Sequence, residues 1–166
     1  MSDRKTTRKY DALMTLSSRV DDVDASAVQA CLELLMTADL ARRELERRFF
    51  RSSLSEGRFA ILAMLLDATD WSLTPSELAE GAGVTRATMT GLLDGLESNA
   101  LVERKGHKSD RRKVVVRLTK AGRESLLQHL PDFFRTAAAV PAGLTTTQRK
   151  ALGGLLARFE PSDGRS

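Results

Sequence analysis

The stretch Leu73-Thr74-Pro75-Ser76-Glu77-Leu78 restricts the folding of this chain more than any other. Thr74 with Glu77 three residues on is a capping box, proline occupies the first helical position, and Leu73 and Leu78 are placed as its hydrophobic staple. The helix that it opens must be short, because Gly81-Ala82-Gly83 interrupts it. Val84-Thr85 opens another, with Thr85 as N-cap, Val84 stapling onto Met89, and an apolar side of Met89, Leu92, Leu93 and Leu96. Two short capped helices joined by a glycine-containing turn form the helix-turn-helix pattern. After Asn99-Ala100 the period changes. Leu101–Arg104 and Val114–Leu118 read as short strands around a polar, basic loop, so a β-hairpin wing follows the helix pair.

The remaining periodicity is helical, which predicts a mainly α fold with a small β-hairpin wing. Residues 1–25 read as a polar extension with a short helix around Tyr10 to Val20. From Ser26 a long helix carries Cys31, Leu34/Leu35, Ala38, Ala41/Arg42, Leu45 and Phe49 on one apolar stripe and runs to about Arg51. Ser55 caps the next helix, with Phe59, Leu62, Ala63, Leu65 and Leu66 on its buried side. Thr119 caps a further one to about Leu130, where Pro131 is expected to restart or kink the helix. A last amphipathic helix begins at Thr145. These elements divide the chain into flanking helical segments at 26–53 and 119–160, a winged helix-turn-helix domain at 54–118 and a disordered tail at 161–166.

Charge placement narrows the function. Between Leu101 and Arg123 nine basic residues face only Glu103 and Asp110, a local net charge of +7, whereas residues 72–100 carry −3. A cationic wing beside a helix pair fits a polyanion. No apolar run approaches the ~20 residues of a membrane span, and residues 1–8 lack a signal-peptide core. One cysteine allows no internal disulfide, so a cytoplasmic, nucleoid-associated protein is expected. No metal-ligand spacing, nucleophile–base set or carboxylate pair is present around His107 or His129, so neither cofactor, metal site nor catalytic residue is expected.

A helix in the major groove reads base edges with its first turns. Those turns offer Thr85, Arg86, Thr88 and Thr90, with Ala87 and Gly91 small enough for close approach. Thr74 and Ser76, at the start of the preceding helix, fall near a phosphate. In the wing, Lys105, Lys108, Arg111 and Lys113 would track phosphates, and Arg112 suits the narrow minor groove with Asp110 orienting it. Asp110 and Arg112 also admit a plainer reading as a pair across a turn.

Leu73–Ala79, Val84–Asp94, Leu96-Glu97 and Asp110-Arg111-Arg112 followed by Val116-Arg117-Leu118-Thr119 resemble the MarR family of winged helix-turn-helix regulators. The resemblance implies a homodimer on double-stranded DNA, its wings on successive turns of a pseudo-palindrome, the segment 85–98 in the major groove and the wing 101–118 in the minor groove. It further implies repression, with release by a small phenolic or aromatic ligand in many members. Ala100 stands where the family usually has glycine, and Asn99 is expected to take the left-handed conformation in its place. Gly95 replaces a commonly basic residue.

For such an effector, Phe49, Arg58, Phe59 and Trp71 are candidates, against the alternative that the aromatics are core and Arg58 a surface residue. Cys31 matches the position of the peroxide-sensing cysteine in one branch of the family. Its place on the apolar stripe favours a buried, inert thiol instead, and the chain's single tyrosine, Tyr10, lies outside that helix. A winged-helix module that binds proteins, or coats DNA as an architectural protein, without responding to a ligand remains the alternative function. Concentrated wing charge argues against the first.

Overall fold

The computed structural model describes residues 4–50, 54–106 and 114–159. The chain divides into two units, Met1–Arg48 and Phe49–Ser166. The first is an antiparallel pair of helices, α1 (Arg4–Ser17) and α2 (Ala25–Arg48). The α1 helix starts earlier and stops sooner than the expected Tyr10 to Val20. The hydroxyls of Ser17 and Ser18 turn back onto the carbonyls of Met14 and Thr15, offering those groups a partner other than the next turn. Asp24 then caps α2, its Oδ1 accepting from the Ser26 and Ala27 amides at 2.9 and 3.2 Å. The Ser26 hydroxyl and these amides hold the Asp24 carboxyl below its ordinary pKa.

Tyr10, 7% exposed, anchors α1 by donating its hydroxyl to Asp39 Oδ2 at 2.9 Å, with Lys9 Nζ on the same oxygen at 3.1 Å. Both donors, Tyr10 first, hold the Asp39 carboxyl below its ordinary pKa. α1 therefore covers the side of α2 that bears Leu32, Met36 and Asp39. The stripe expected to be buried is only partly covered: Leu34, Ala41, Leu45 and Phe49 are partly buried. Cys31 is exposed, and Leu35, one turn on, is 48% exposed. A stripe read from spacing tells which residues share a side, not which neighbour covers it.

The second unit holds α3 (Glu56–Asp67), a 3-10 turn (Thr69–Trp71), β1 (Ser72–Leu73), α4 (Pro75–Gly81), α5 (Arg86–Ser98), β2 (Val102–Gly106), β3 (Val114–Leu118), α6 (Lys120–Ala139) and α7 (Thr146–Leu156). The sheet is antiparallel in the order β1-β3-β2, with Leu73 opposite Val116 and Arg104 opposite Val116 on the other side. Helices α3, α4, α5 and α6 close over it around Ile61, Leu62, Leu65, Leu78, Met89, Leu93, Leu96, Val102, Val116 and Leu126, all fully buried. At two residues, β1 is too short to leave an alternating pattern, so the sequence shows only the two wing strands.

Both helices of the central pair end in the same motif. After α4, Val84 N–H bonds the Ala79 carbonyl and Gly83 N–H bonds that of Glu80. After α5, Leu101 N–H bonds Leu96 and Ala100 N–H bonds Glu97. This is the Schellman arrangement, which puts the first residue beyond the cap in the left-handed region. Gly83 meets the demand at φ 63°, and Ala100 must meet it at φ 55°. Asn99, expected to take that role, stays at φ −92° as the cap itself, its side-chain amide on the Gly95 carbonyl at 2.6 Å. Ala100→Gly is therefore expected to raise stability by about 1 kcal/mol. A denaturation midpoint equal to or below that of the parent would contradict it.

Pro131 does not restart α6, which continues through it from Lys120 to Ala139. Pro131 and Leu127, whose carbonyl loses its partner, are both exposed residues, so the break in the ladder falls away from the core. Thr119 caps α6 by accepting from the Gly122 amide at 3.0 Å. Its hydroxyl donates to the carbonyls of Ala100 and Leu101, tying α6 to the end of α5. Gly122 permits this approach, since a Cβ there would overlap the Leu101 carbonyl. The expected tail, 161–166, lies outside the described residues.

Candidate nucleic-acid interface

The start of α4 is built as the capping box requires. Thr74 Oγ1 accepts from the Glu77 amide at 3.2 Å, while Glu77 Oε2 accepts from the Thr74 amide and hydroxyl, both at 2.7 Å. The Thr74 hydroxyl is thus engaged within the helix, whereas Ser76 is exposed. In α5, Thr85 Oγ1 accepts from the Thr88 amide at 3.2 Å and lies 2.9 Å from the Thr88 hydroxyl. Thr90 donates its hydroxyl to the Arg86 carbonyl at 3.0 Å and is exposed. Arg86 is exposed and has no side-chain partner among the described residues. With Met89, Leu93 and Leu96 buried, the opposite side of α5 presents Arg86, Ala87, Thr90, Gly91 and Asp94. A Cβ on Gly91 would meet nothing within 4 Å, so this side is open to close approach.

The flanks of α5 are arginine-bound. On one, Arg104 of β2 donates Nη2 to Asp94 Oδ1 at 2.6 Å and Nη1 to Glu97 Oε2 at 2.7 Å, and its own amide reaches Glu97 Oε1 at 3.1 Å. Asp94 foremost, and Glu97 with it, raise the Arg104 pKa further. On the other flank the guanidinium of Arg58, from α3, rests on Gly95, where a Cβ would overlap it. Neither link is legible in the sequence as a motif. The only hint of the first is the Asp94/Glu97 pair on one helix side ahead of a strand bearing arginine.

The local +7 therefore overstates the free charge of the segment. Arg104 pairs with Asp94 and Glu97, and Lys120 lies 3.9 Å from Glu124, all carboxylates outside that count, whereas the 2.6 Å pair of Lys105 with Glu103 is already within it and Arg123, over the Trp71 ring at 5.3 Å, keeps its charge. Lys108, Asp110, Arg111, Arg112 and Lys113 lie outside the described residues.

The effector candidates do not converge. Phe49 and Phe59 pack together at 5.1 Å, and Phe133 joins them at 5.4 and 4.8 Å, with Phe50 at the edge. His129 lies beside Phe49, its Nδ1 donating to the Ser125 carbonyl at 2.7 Å. Arg58 points away to Gly95, because successive helical residues diverge by about 100°. Trp71, 41% exposed, joins no ring pair among the described residues. No cluster of three metal-ligating side chains occurs among the described residues, and no helix there is long and apolar enough to cross a membrane.

A family model described as the MarR family matches residues 54–114. The HTH-type transcriptional repressor YetL of Bacillus subtilis is 36% identical over 155 residues, covering 91% of this chain and 93% of the relative. Among solved structures, Sco3205 from Streptomyces coelicolor, a MarR family transcriptional regulator in complex with DNA, superposes with a TM-score of 0.68 at 24% identity. That match covers 87% of this chain and 94% of the other. A mutant of Escherichia coli MarR complexed with operator DNA superposes with a TM-score of 0.69 at 24% identity, over 85% and 100% of the two chains.

Proposed function

The chain belongs to the MarR family of transcriptional regulators and is not an enzyme, and from that premise we propose that it is a repressor binding a pseudo-palindromic operator as a homodimer. In this reading α5 enters the major groove with Thr85, Arg86, Thr88 and Thr90. The wing 101–118 lies along the minor groove, with Arg112 inserted and Asp110 orienting it. Thr74, Ser76, Lys105, Lys108, Arg111 and Lys113 face phosphates. The observation that carries the reading is the open side of α5, where Arg86, without a side-chain partner among the described residues, stands beside Ala87 and a Gly91 whose added Cβ would meet nothing within 4 Å. Two proteins of the same fold were captured on DNA, and the relative from Bacillus subtilis is named a repressor. Segments 26–53 and 119–160 supply the dimer contacts. Each leaves large apolar side chains exposed, among them Leu35, Phe134, Leu155 and Phe159, as a surface awaiting a second copy does.

The test is a fluorescence-anisotropy titration on the DNA upstream of the protein's own gene and on a scrambled duplex, at two salt concentrations. Tight binding to the upstream DNA alone, falling by orders of magnitude over a few-fold rise in salt, is expected. Arg112→Ala should weaken it at least about tenfold while the sedimentation of the dimer stays unchanged. Equal affinity for both duplexes, or an unaffected Arg112 variant, would overturn the assignment.

A further inference from the structure

Arg58 and Gly95 belong to different helices, yet the guanidinium lies on the glycine so closely that a Cβ there would overlap Cζ and Nη2 and stand 3.1 Å from Nε. Gly57, next to Arg58, likewise lets α3 approach Leu92 of α5, with a Cβ only 3.1 Å from Leu92 Cδ1. Two glycines, one on each helix, thus bring the start of α3 against the flank of α5 and lay Arg58 across it. Asp94 and Glu97 lie beside Gly95 in sequence, but both turn to Arg104 on the other flank. Arg58 pairs with no carboxylate among the described residues, although it is half-buried. A guanidinium carries five donors and no acceptor, so it calls for an anion or water. No described side-chain nitrogen or oxygen is sealed away without a partner, so these donors reach the surface.

The place that Arg58 reaches is specific. Thr88, Gly91 and Gly95 follow one another at helical spacing along α5, and a Cβ on Gly91 would meet nothing within 4 Å. This row of α5 is low and open, and the Arg58 guanidinium stands at its far end. Base edges lie in front of a helix in the major groove, and phosphates lie along its flanks. We infer that Arg58, reaching over Gly95, is a phosphate-binding residue that anchors the C-terminal half of α5 at the edge of the groove. The inference rests on α5 being the groove helix. Its chemistry is that of a planar fork on phosphate oxygens, independent of base sequence.

Arg58→Ala is expected to weaken binding about tenfold, equally on operator and scrambled DNA, and to flatten the slope of log affinity against log salt by about one. Gly95→Ala puts a methyl group where the guanidinium rests and displaces only the end of a flexible side chain. It should reproduce the loss of affinity while melting no lower than the parent, since alanine favours the helix over glycine. The double variant should bind no more weakly than either single one. Arg86→Ala serves as the control for the groove helix. If that variant loses operator binding while Arg58→Ala changes neither affinity nor slope, or Gly95→Ala binds like the parent, the Arg58 assignment alone is overturned. A loss confined to one base sequence overturns the phosphate assignment. A parent protein that binds neither duplex overturns the groove-helix reading with it.

Discussion

Arg104→Ala is expected to lower DNA affinity on the order of 100-fold, although the side chain serves α5 rather than the DNA. The substitution leaves Asp94 and Glu97, both now without Arg104, on the helix proposed to face a polyanion. It also removes both guanidinium links between β2 and α5 and leaves only the bond from the backbone amide to Glu97, so the angle of the wing to the groove helix is held less firmly. The cost in folding is smaller, about 1 kcal/mol or less, because Asp94 and Glu97 are substantially solvated and screening weakens such pairs. Adding Asp94→Asn separates the two mechanisms. If charge repulsion dominates, as we expect, the double variant regains at least about tenfold of the loss. An anisotropy titration in which Arg104→Ala binds like the parent would show that the clamp has no part in recognition.

Leu96→Ala should cost about 3 kcal/mol of stability. Leu96 is 0% exposed and packs in one cluster with Leu93, Met89, Val102, Val116 and Leu126, so truncation opens a cavity bounded by α5, α6 and the sheet. The neighbouring turn limits relaxation, since the Leu96 carbonyl accepts the Leu101 amide that closes the helix end. Urea denaturation followed by far-ultraviolet circular dichroism measures the change. A difference below about 1 kcal/mol, within the range of a well-collapsed site, would mean that this core tolerates the void.

What the sequence makes legible here is local chemistry. Thr74, Thr85, Thr119 and Thr145 each announce a helix start by a hydroxyl placed to accept an amide three residues on, and each does so in the structure. The turn at Gly81-Ala82-Gly83 is legible for the same reason. Features that depend on two distant segments are not. The seat of Arg58 on Gly95 and the hold of Arg104 on Asp94 join residues whose spacing carries no signal. Ala100 shows the limit within a single turn. Propensity favours asparagine for the left-handed residue, but the hydrogen-bond pattern of the helix end selects the position and leaves the side chain to comply. Cys31 and Leu35 share a stripe, as their spacing requires. That α1 covers a different side is settled by Tyr10 and Asp39, one of which lies outside the α2 pattern altogether.

Trp71 has a bearing on how the protein can be observed. It is the sole indole of the chain, and it stands at φ 52° immediately before β1, half in solvent and beneath the Arg123 guanidinium. An indole's emission wavelength and yield follow the polarity and the charge beside its ring. Any motion that shifts the short strand against β3, or α6 against the turn, changes that surrounding and with it the colour of the light. The unit that carries α5 therefore holds an optical reporter of its own, placed at the edge of the sheet and needing no dye.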